Sequence, residues 1–483
     1  MRFNSLTFLI FFWLSTSAYF ALPYRRRWAL LLICSALFYA AYIPAYLLVL
    51  AVVIVIDYVA GLAIERATGN ARKLWLLASV LANIGLLAAF KYFDFASDNL
   101  HTLLARLQLN YPVRHIGLLL PIGLSFHTFQ SLSYTIEVYR GRQRAERHPG
   151  MYALYVMFYP QLVAGPIERP QNLLHQFRED HVFDADRIFA GLRQMLWGFF
   201  KKLVIADRLA NIVDPIYRDP RAWGRAYLWL ATYCFAFQIY CDFSGYSDIA
   251  LGAARVLGIK LMTNFDRPYA ARSVAEFWRR WHISLSTWFR DYVYFPLRGN
   301  RVTVPRWCVN VLIVFLISGL WHGASWTFVV WGAIHGMYLI IGRLTGAARA
   351  RLSAAIHLDR LPVVSAAVKI FLTFNLIAIT WVFFRAASLA QASFILAKMA
   401  RGPLWDAPPF TLANPAPFVA DDLLLIATLV VLMELIQWIS SRPWNGFFDR
   451  QPAWVRWPAY YAVIIAILWF GALGGRTFIY FQF

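Results

Sequence analysis

Residues 45–95 read AYLLVLAVVIVIDYVAGLAIERATGNARKLWLLASVLANIGLLAAFKYFDF, two apolar runs (Ala45–Ile64 and Leu74–Phe95) parted by a link that holds Arg66, Arg72 and Lys73. A helix rises about 1.5 Å per residue, so about twenty apolar residues cross the roughly 30 Å hydrocarbon layer of a bilayer. Each run is long enough to cross once, and the basic link marks the turn between crossings. Working outward, Phe3–Leu22 and Trp28–Ile43 come before this stretch and Ile116–Tyr139 follows it. Pro44 separates the second run from the third, a sensible turn at the membrane edge.

Composition agrees. Of 483 residues, 60% are hydrophobic and only 15% charged, both shifted from soluble averages toward a membrane protein. The net charge of +21 raises nucleic acid as a partner. That reading requires a basic face on a soluble domain, whereas these cations lie between apolar runs, as in loops held against an anionic membrane surface. Nucleic-acid binding is therefore not expected. Arg25–Arg27, Arg66/Arg72/Lys73 and Arg140/Arg142/Arg144/Arg147 follow the first, third and fifth runs, while Pro44 and 97–115 are poorer in positive charge. Positive loops stay cytoplasmic, so the N-terminus is expected outside a membrane crossed several times. Phe3–Leu22 lacks a small-residue cleavage pattern and reads as a retained first span.

Farther on the pattern is less regular. Tyr152–Gly165 is short, holds Pro160 and ends in Gly165-Pro166, which suggests a re-entrant segment. Ile188–Ile205 is interrupted by Lys201-Lys202, and Tyr227–Ile249 contains Asp242 and Asp248. Later runs are Cys308–Leu320, Trp326–Ile341, Val363–Phe384, Leu423–Ile439 and Tyr460–Leu473, and Gly402–Pro417 reads as an ordered loop outside the membrane. The expectation is an all-α polytopic protein of about ten to twelve membrane segments. It forms a single embedded domain, with five N-terminal spans in 1–148, a core with re-entrant and interfacial helices in 149–345, and C-terminal spans in 346–483.

Chemistry concentrates in EFWRRWHISLSTWFRDYVYFPLRGNR, residues 276–301. Placed on one helix, Trp278, Trp281, Leu285, Trp288, Phe289 and Tyr292 share an arc, with Arg279, Arg280 and Arg290 opposite. That is an interfacial helix with its apolar face toward the bundle. His282 sits at the edge of the arc, where a lone histidine is as often a satisfied core residue as a functional one. His322 lies in GLWHGASW between two apolar runs. Ionisable residues at membrane depth are expensive and tend to line functional cavities, although a packing histidine is the competing reading.

No metal site is expected. His322 and His335 on one helix would point about 220° apart and lie roughly 20 Å apart, and no HExxH spacing occurs. The four cysteines (Cys34, Cys234, Cys241, Cys308) fall in or beside apolar stretches without CxxC pairing and read as small buried hydrophobes. Ser125 and Ser244 lack a GxSxG context, which leaves a covalent hydrolase mechanism without support.

Together YCDFSGYSDIALG (Tyr240–Gly252), NFDRPY (Asn264–Tyr269), the 276–301 stretch, GLWHGASW and the final FIYFQF resemble the membrane-bound O-acyltransferase family. The branch resembled is bacterial: alginate O-acetylase membrane subunits, their cellulose and peptidoglycan relatives, and the teichoic-acid D-alanyl transfer protein. The likeness runs from Pro121 to the C-terminus. It implies a ring of tilted helices around a central tunnel, with His322 at the family's catalytic histidine and His282 at its second polar position.

The implied reaction moves an acyl group, acetyl above all, from a cytoplasmic thioester (acetyl-CoA or an acyl carrier) to a hydroxyl. His322 acts as base and no permanently bound cofactor is implied. Trp281, Arg279, Arg280, Trp321 and Asp242 are the candidate substrate-binding residues, Trp281 as a carbonyl donor and the arginines for donor phosphates. A periplasmic partner resembling SGNH-type esterases, working with polysaccharide export machinery, is implied for the last transfer onto an alginate-like or cellulose-like polymer. The chain departs from relatives at Arg298, where glycine is common, and at His127, where an aromatic residue is usual. D-alanyl transfer to teichoic acid and peptidoglycan O-acetylation are alternatives within the class. A transporter is the alternative outside it, disfavoured because no matched broken halves are visible.

Overall fold

A computed structural model of the chain describes residues 1, 3–109, 115, 117–118, 120–163, 165–406, 420–439, 450–472 and 476–479. Every regular element among them is helical. Internal contacts divide the chain into two compact units, residues 1–195 with 246–263, and residues 196–245 with 264–483. The expected loop Gly402–Pro417 lies outside the described residues from 407 onward, and of the terminal FIYFQF only Phe478 and Ile479 are described.

The first unit holds α1 (Leu6–Ala21), α2 (Tyr24–Ala40), α3 (Tyr46–Arg66), α4 (Gly69–Leu87), α5 (Phe93–Arg106), α6 (Leu124–Tyr139), α7 (Pro149–Met157) and α8 (Pro170–Leu173). It also holds most of α9 (Ala185–Phe199) and the end of α11 (Arg225–Val256). Local chemistry sets the boundaries. The Ser5 hydroxyl accepts from the Phe8 N–H at 3.2 Å and caps α1. Pro23 precedes α2, and Pro44 lies in the turn before α3. The fourth run continues from α4 through a π turn (Ala88–Tyr92) into α5.

The fifth run differs from expectation. Its helix, α6, is 16 residues of mixed polarity (LSFHTFQSLSYTIEVY), and every side chain from Leu124 to Thr135 is buried. Such a helix fills the interior of its unit, where the Thr135 hydroxyl accepts from Ser79 and the Gln130 amide donates to the Tyr155 carbonyl oxygen, partners that lipid lacks. Segment 152–165 is helical only to Met157, and its described residues are nearly all enclosed, as irregular backbone inside a membrane protein must be.

In the second unit the end of α9 runs into a π turn (Phe200–Ala206) and then α10 (Asp207–Arg218). After α11 come α12 (Val274–Arg280), α13 (Ile283–Phe289), α14 (Val304–His322), α15 (Trp326–Leu344), α16 (Gly346–Ala355), α17 (Pro362–Arg385), α18 (Leu389–Arg401), α19 (Ala420–Ile439) and α20 (Ala453–Phe470). Six described helices are long and apolar enough to cross a membrane: α3, α4 with α5, α14, α15, α17 and α20; α1 and Leu424–Ile439 are shorter apolar helices. The chain is thus an all-helical, multi-pass membrane protein.

Two features of this unit position the site. First, α14 and α15 pack so closely that a Cβ on Gly319 would sit 2.3 Å from the Phe328 carbonyl oxygen, and one on Gly332 would sit 2.2 Å from that of Phe315. Second, the 276–292 stretch is not one helix. It breaks between α12 and α13, where His282 takes the left-handed conformation (φ 43°, ψ 55°). Asn264 causes the break by offering alternative partners. Its main-chain carbonyl accepts from the Ile283 N–H at 2.9 Å, and its Oδ1 accepts from the Ser284 N–H (3.2 Å) and hydroxyl (2.8 Å). Trp281, Leu285, Trp288 and Phe289 are nonetheless buried, as the apolar arc requires.

Candidate active site

His322 closes α14, where the following Gly323 is extended (φ −165°) and ends the helix. Its ring is buried among aromatic edges: Trp321 at 4.9 Å between centroids, Trp331 at 5.0 Å and Phe384 at 5.3 Å. α14 supplies the histidine, α15 supplies Trp331 and α17 supplies Phe384. The glycine-mediated contact of α14 with α15 is what lets Trp331 reach the imidazole.

His282 is also buried and packs against Trp321, 6.0 Å between ring centroids. Its Nδ1 lies 3.2 Å from Asn264 Oδ1. An amide oxygen only accepts, so His282 carries its proton on Nδ1 and its lone pair on Nε2. Burial pushes its pKa down to about 3, which keeps the ring neutral at ordinary pH. Asn264 therefore breaks the helix and sets the histidine's tautomer.

A cavity of about 1190 Å³ opens beside this cluster. Arg272, Arg279, Arg290, Arg343, Arg349 and Lys369 line it, together with apolar residues such as Phe289, Phe315 and Leu372, and no acidic side chain is among its lining. It reaches Ser318, one helical turn before His322 and on the same face of α14. Trp278 forms part of its wall and packs against Trp331 at 5.7 Å, so two indoles stand between the cavity and the His322 ring. The Trp278 indole N–H donates to His335 Nδ1 (3.3 Å), and His335 Nε2 lies 3.0 Å from the Thr380 hydroxyl.

The other candidates separate. Trp321 packs against both histidines and Arg279 lines the cavity. Arg280 instead pairs with Glu276 at 2.7 Å. Trp281 is packed among Phe265, Phe277 and Trp381, outside the cavity lining. Asp242 is buried against the Lys202 ammonium and accepts from the Ile479 N–H at 2.7 Å. Among the described residues no three His, Cys, Asp or Glu side chains come together as a metal site.

Sequence reasoning missed Trp331. Its indole N–H is buried with no hydrogen-bond partner, beside His322. A buried orphan donor is costly, and one at a reactive centre marks a place where substrate oxygen would be welcome. No spacing rule singles it out among 20 tryptophans.

Comparison with known proteins adds the chemistry of relatives. The sequence model of the membrane-bound O-acyltransferase family matches residues 73–387. The probable alginate O-acetylase of Azotobacter vinelandii is 38% identical over 92% of this chain and 87% of its own length. The peptidoglycan O-acetyltransferase of Helicobacter pylori is 36% identical over 76% of this chain and 73% of its own. The teichoic acid D-alanyltransferase of Streptococcus thermophilus is 31% identical over 54% of this chain and 68% of its own.

Proposed function

The chain belongs to the membrane-bound O-acyltransferase family, and we propose that it moves an acetyl group from a cytoplasmic thioester toward the hydroxyls of an exported polysaccharide. The observation that carries this reading is the pairing of His322, buried one turn beyond Ser318, with a cation-lined cavity that reaches Ser318. A thioester donor carried on a phosphate-bearing arm fits such a cavity, with arginines for the phosphates and an apolar wall for the arm. The base lies one turn beyond Ser318, behind Trp278 and Trp331. Acetyl-CoA and a protein-borne acyl carrier both supply that chemistry.

In the transfer, the acceptor oxygen attacks the thioester carbonyl while His322 takes the hydroxyl proton. The new O–C bond forms, the C–S bond breaks, and the departing sulfur regains the proton, so the exchange is balanced. A thioester is already activated, and positioning with one base suffices. The Trp331 N–H is the donor suited to the carbonyl oxygen as its charge grows. His282, neutral and with its proton on Nδ1, packs against Trp321 and offers Nε2 to the acceptor.

Acetyl is favoured over D-alanyl by the relatives, since the O-acetylases match far more of this chain than the D-alanyltransferase does. The system is a bacterial cytoplasmic membrane acetylation pathway completed by a periplasmic transferase and export machinery. Mass spectrometry of the host's exported polysaccharide, with the wild-type gene, without it and with His322→Ala, tests the whole reading. Acetyl esters should vanish in the last two while the variant protein remains inserted at wild-type level. Normal acetylation by His322→Ala protein refutes the assignment.

A further inference from the structure

The terminal segment around Phe478 has no part in the transfer described above, and neither does the buried Lys202–Asp242 pair. We propose that the two form a latch: Thr477–Ile479, bound by Asp242 and Lys202, is a positioning element that holds Phe243 against His282. This rests on His282 being part of the active site.

The latch starts in the π turn Phe200–Ala206, whose wider winding brings Lys201 and Lys202 inside the unit, both buried. The Lys202 ammonium donates to Asp242, lies 2.9 Å from Asp207 Oδ1, and lies 3.5 Å from the Thr477 carbonyl oxygen. The second oxygen of Asp242 accepts the Ile479 N–H at 2.7 Å. Main-chain groups two residues apart thus face the same ion pair, as alternate residues of an extended segment do. Phe478, between them, is buried with its ring 5.4 Å from that of Phe243. Phe243 directly follows Asp242 on α11 and meets the His282 ring edge-on at 4.7 Å. The path from tail to histidine is therefore two aromatic contacts long, and Asp242 binds the tail one residue before the Phe243 that carries it.

An ion pair is a poor way to gain stability in an apolar interior, because desolvation offsets the attraction and an apolar pair would pack as well. What this pair provides is direction. Both oxygens of Asp242 are engaged, one by Lys202 and one by Ile479, so the tail can seat in one register only. That also explains a buried aspartate within an apolar helix without assigning it a substrate to bind.

The experiment uses the full-length protein in detergent, assayed for acyl transfer with kcat and donor KM measured separately. Three variants loosen the latch in different ways: Phe478→Ala, Ile479→Pro, and the neutral exchange Lys202→Met with Asp242→Leu and Asp207→Asn, which leaves no buried carboxylate without its cation. Each is expected to lower kcat by about tenfold with donor KM nearly unchanged, which is how lost positioning reads out. Phe478→Ala is then repeated in a His282→Ala background, where it should cost nothing further, because residues acting through one another do not add. A variant that elutes as aggregate is set aside, and the Phe478→Ala cycle decides alone. A slowed His282→Ala protein combined with full-rate latch variants, or with losses that add, overturns the latch and leaves the site reading intact. A His282→Ala protein with wild-type kcat overturns the site reading itself, and the latch with it.

Discussion

The Trp331 indole makes two demands on its surroundings: room for a large ring, and a partner for an N–H that no protein group satisfies. Trp331→Phe keeps most of the ring and removes the donor. If the N–H meets the carbonyl oxygen in the transition state, kcat should fall by about a hundredfold with donor KM little changed, the usual loss for one such donor. Replacement by β-(3-benzothienyl)alanine, which puts sulfur where the N–H was, should slow the enzyme as much as phenylalanine does. Full activity in the sulfur variant would mean that Trp331 only fills space. At this scale the sequence was informative where a residue type is rare in its setting. A histidine at membrane depth, as at His322, is visible because charge is expensive there. Trp331 was not, since its meaning comes from what fails to surround it, and Lys202 was not, since two of its partners, Asp242 and Thr477, lie 40 and 275 residues away.

Helices carry the next level of argument, and the α14–α15 hairpin is the element that builds the site. His322 ends one helix and Trp331 sits on the other, so their separation depends on how closely the two backbones approach. Gly319 and Gly332 set that distance, since a methyl group on either would fall within 2.3 Å of the opposite backbone. Gly332→Ala should therefore push the helices apart, costing about 1–3 kcal/mol in packing and moving Trp331 off the imidazole. The expected result is a folded but less heat-stable protein with transfer activity reduced more than donor binding, read by thermal unfolding in detergent beside kinetics. Unchanged activity would show that the close approach serves assembly alone. Other elements were read less well from the sequence. The aromatic arc of 276–292 was legible from periodicity, but its break at His282 was not. An amide 18 residues upstream, Asn264, takes hydrogen bonds that a continuous helix would have made. Run length also counted α6 among the spans, although it is a helix of mixed polarity with every side chain from Leu124 to Thr135 buried.

Across the chain, orientation in the membrane follows from where the basic loops meet. In the first unit, Arg72 donates to the carbonyl oxygens of Val138 (3.1 Å) and Tyr139 (2.6 Å), tying the start of α4 to the end of α6. Arg147 pairs with Glu65 at the end of α3, Arg178 with Glu146, and Arg27 lies 3.4 Å from Asp180. The three basic clusters at Arg25–Arg27, Arg66–Lys73 and Arg140–Arg147 thus share one end of the unit. Pro44 lies beyond the opposite end of α3, whose 21 residues extend for about 31 Å, one hydrocarbon thickness. Positive loops tend to remain on the cytoplasmic side, and this rule predicts that shared end inside and both the Pro44 turn and the N-terminus outside. The chain's own cysteines are replaced first, and single cysteines are then introduced at Pro44 and Arg142. A membrane-impermeant maleimide applied to intact cells should label position 44 and leave position 142 untouched until the membrane is opened. Labelling of position 142 from outside would reverse the orientation.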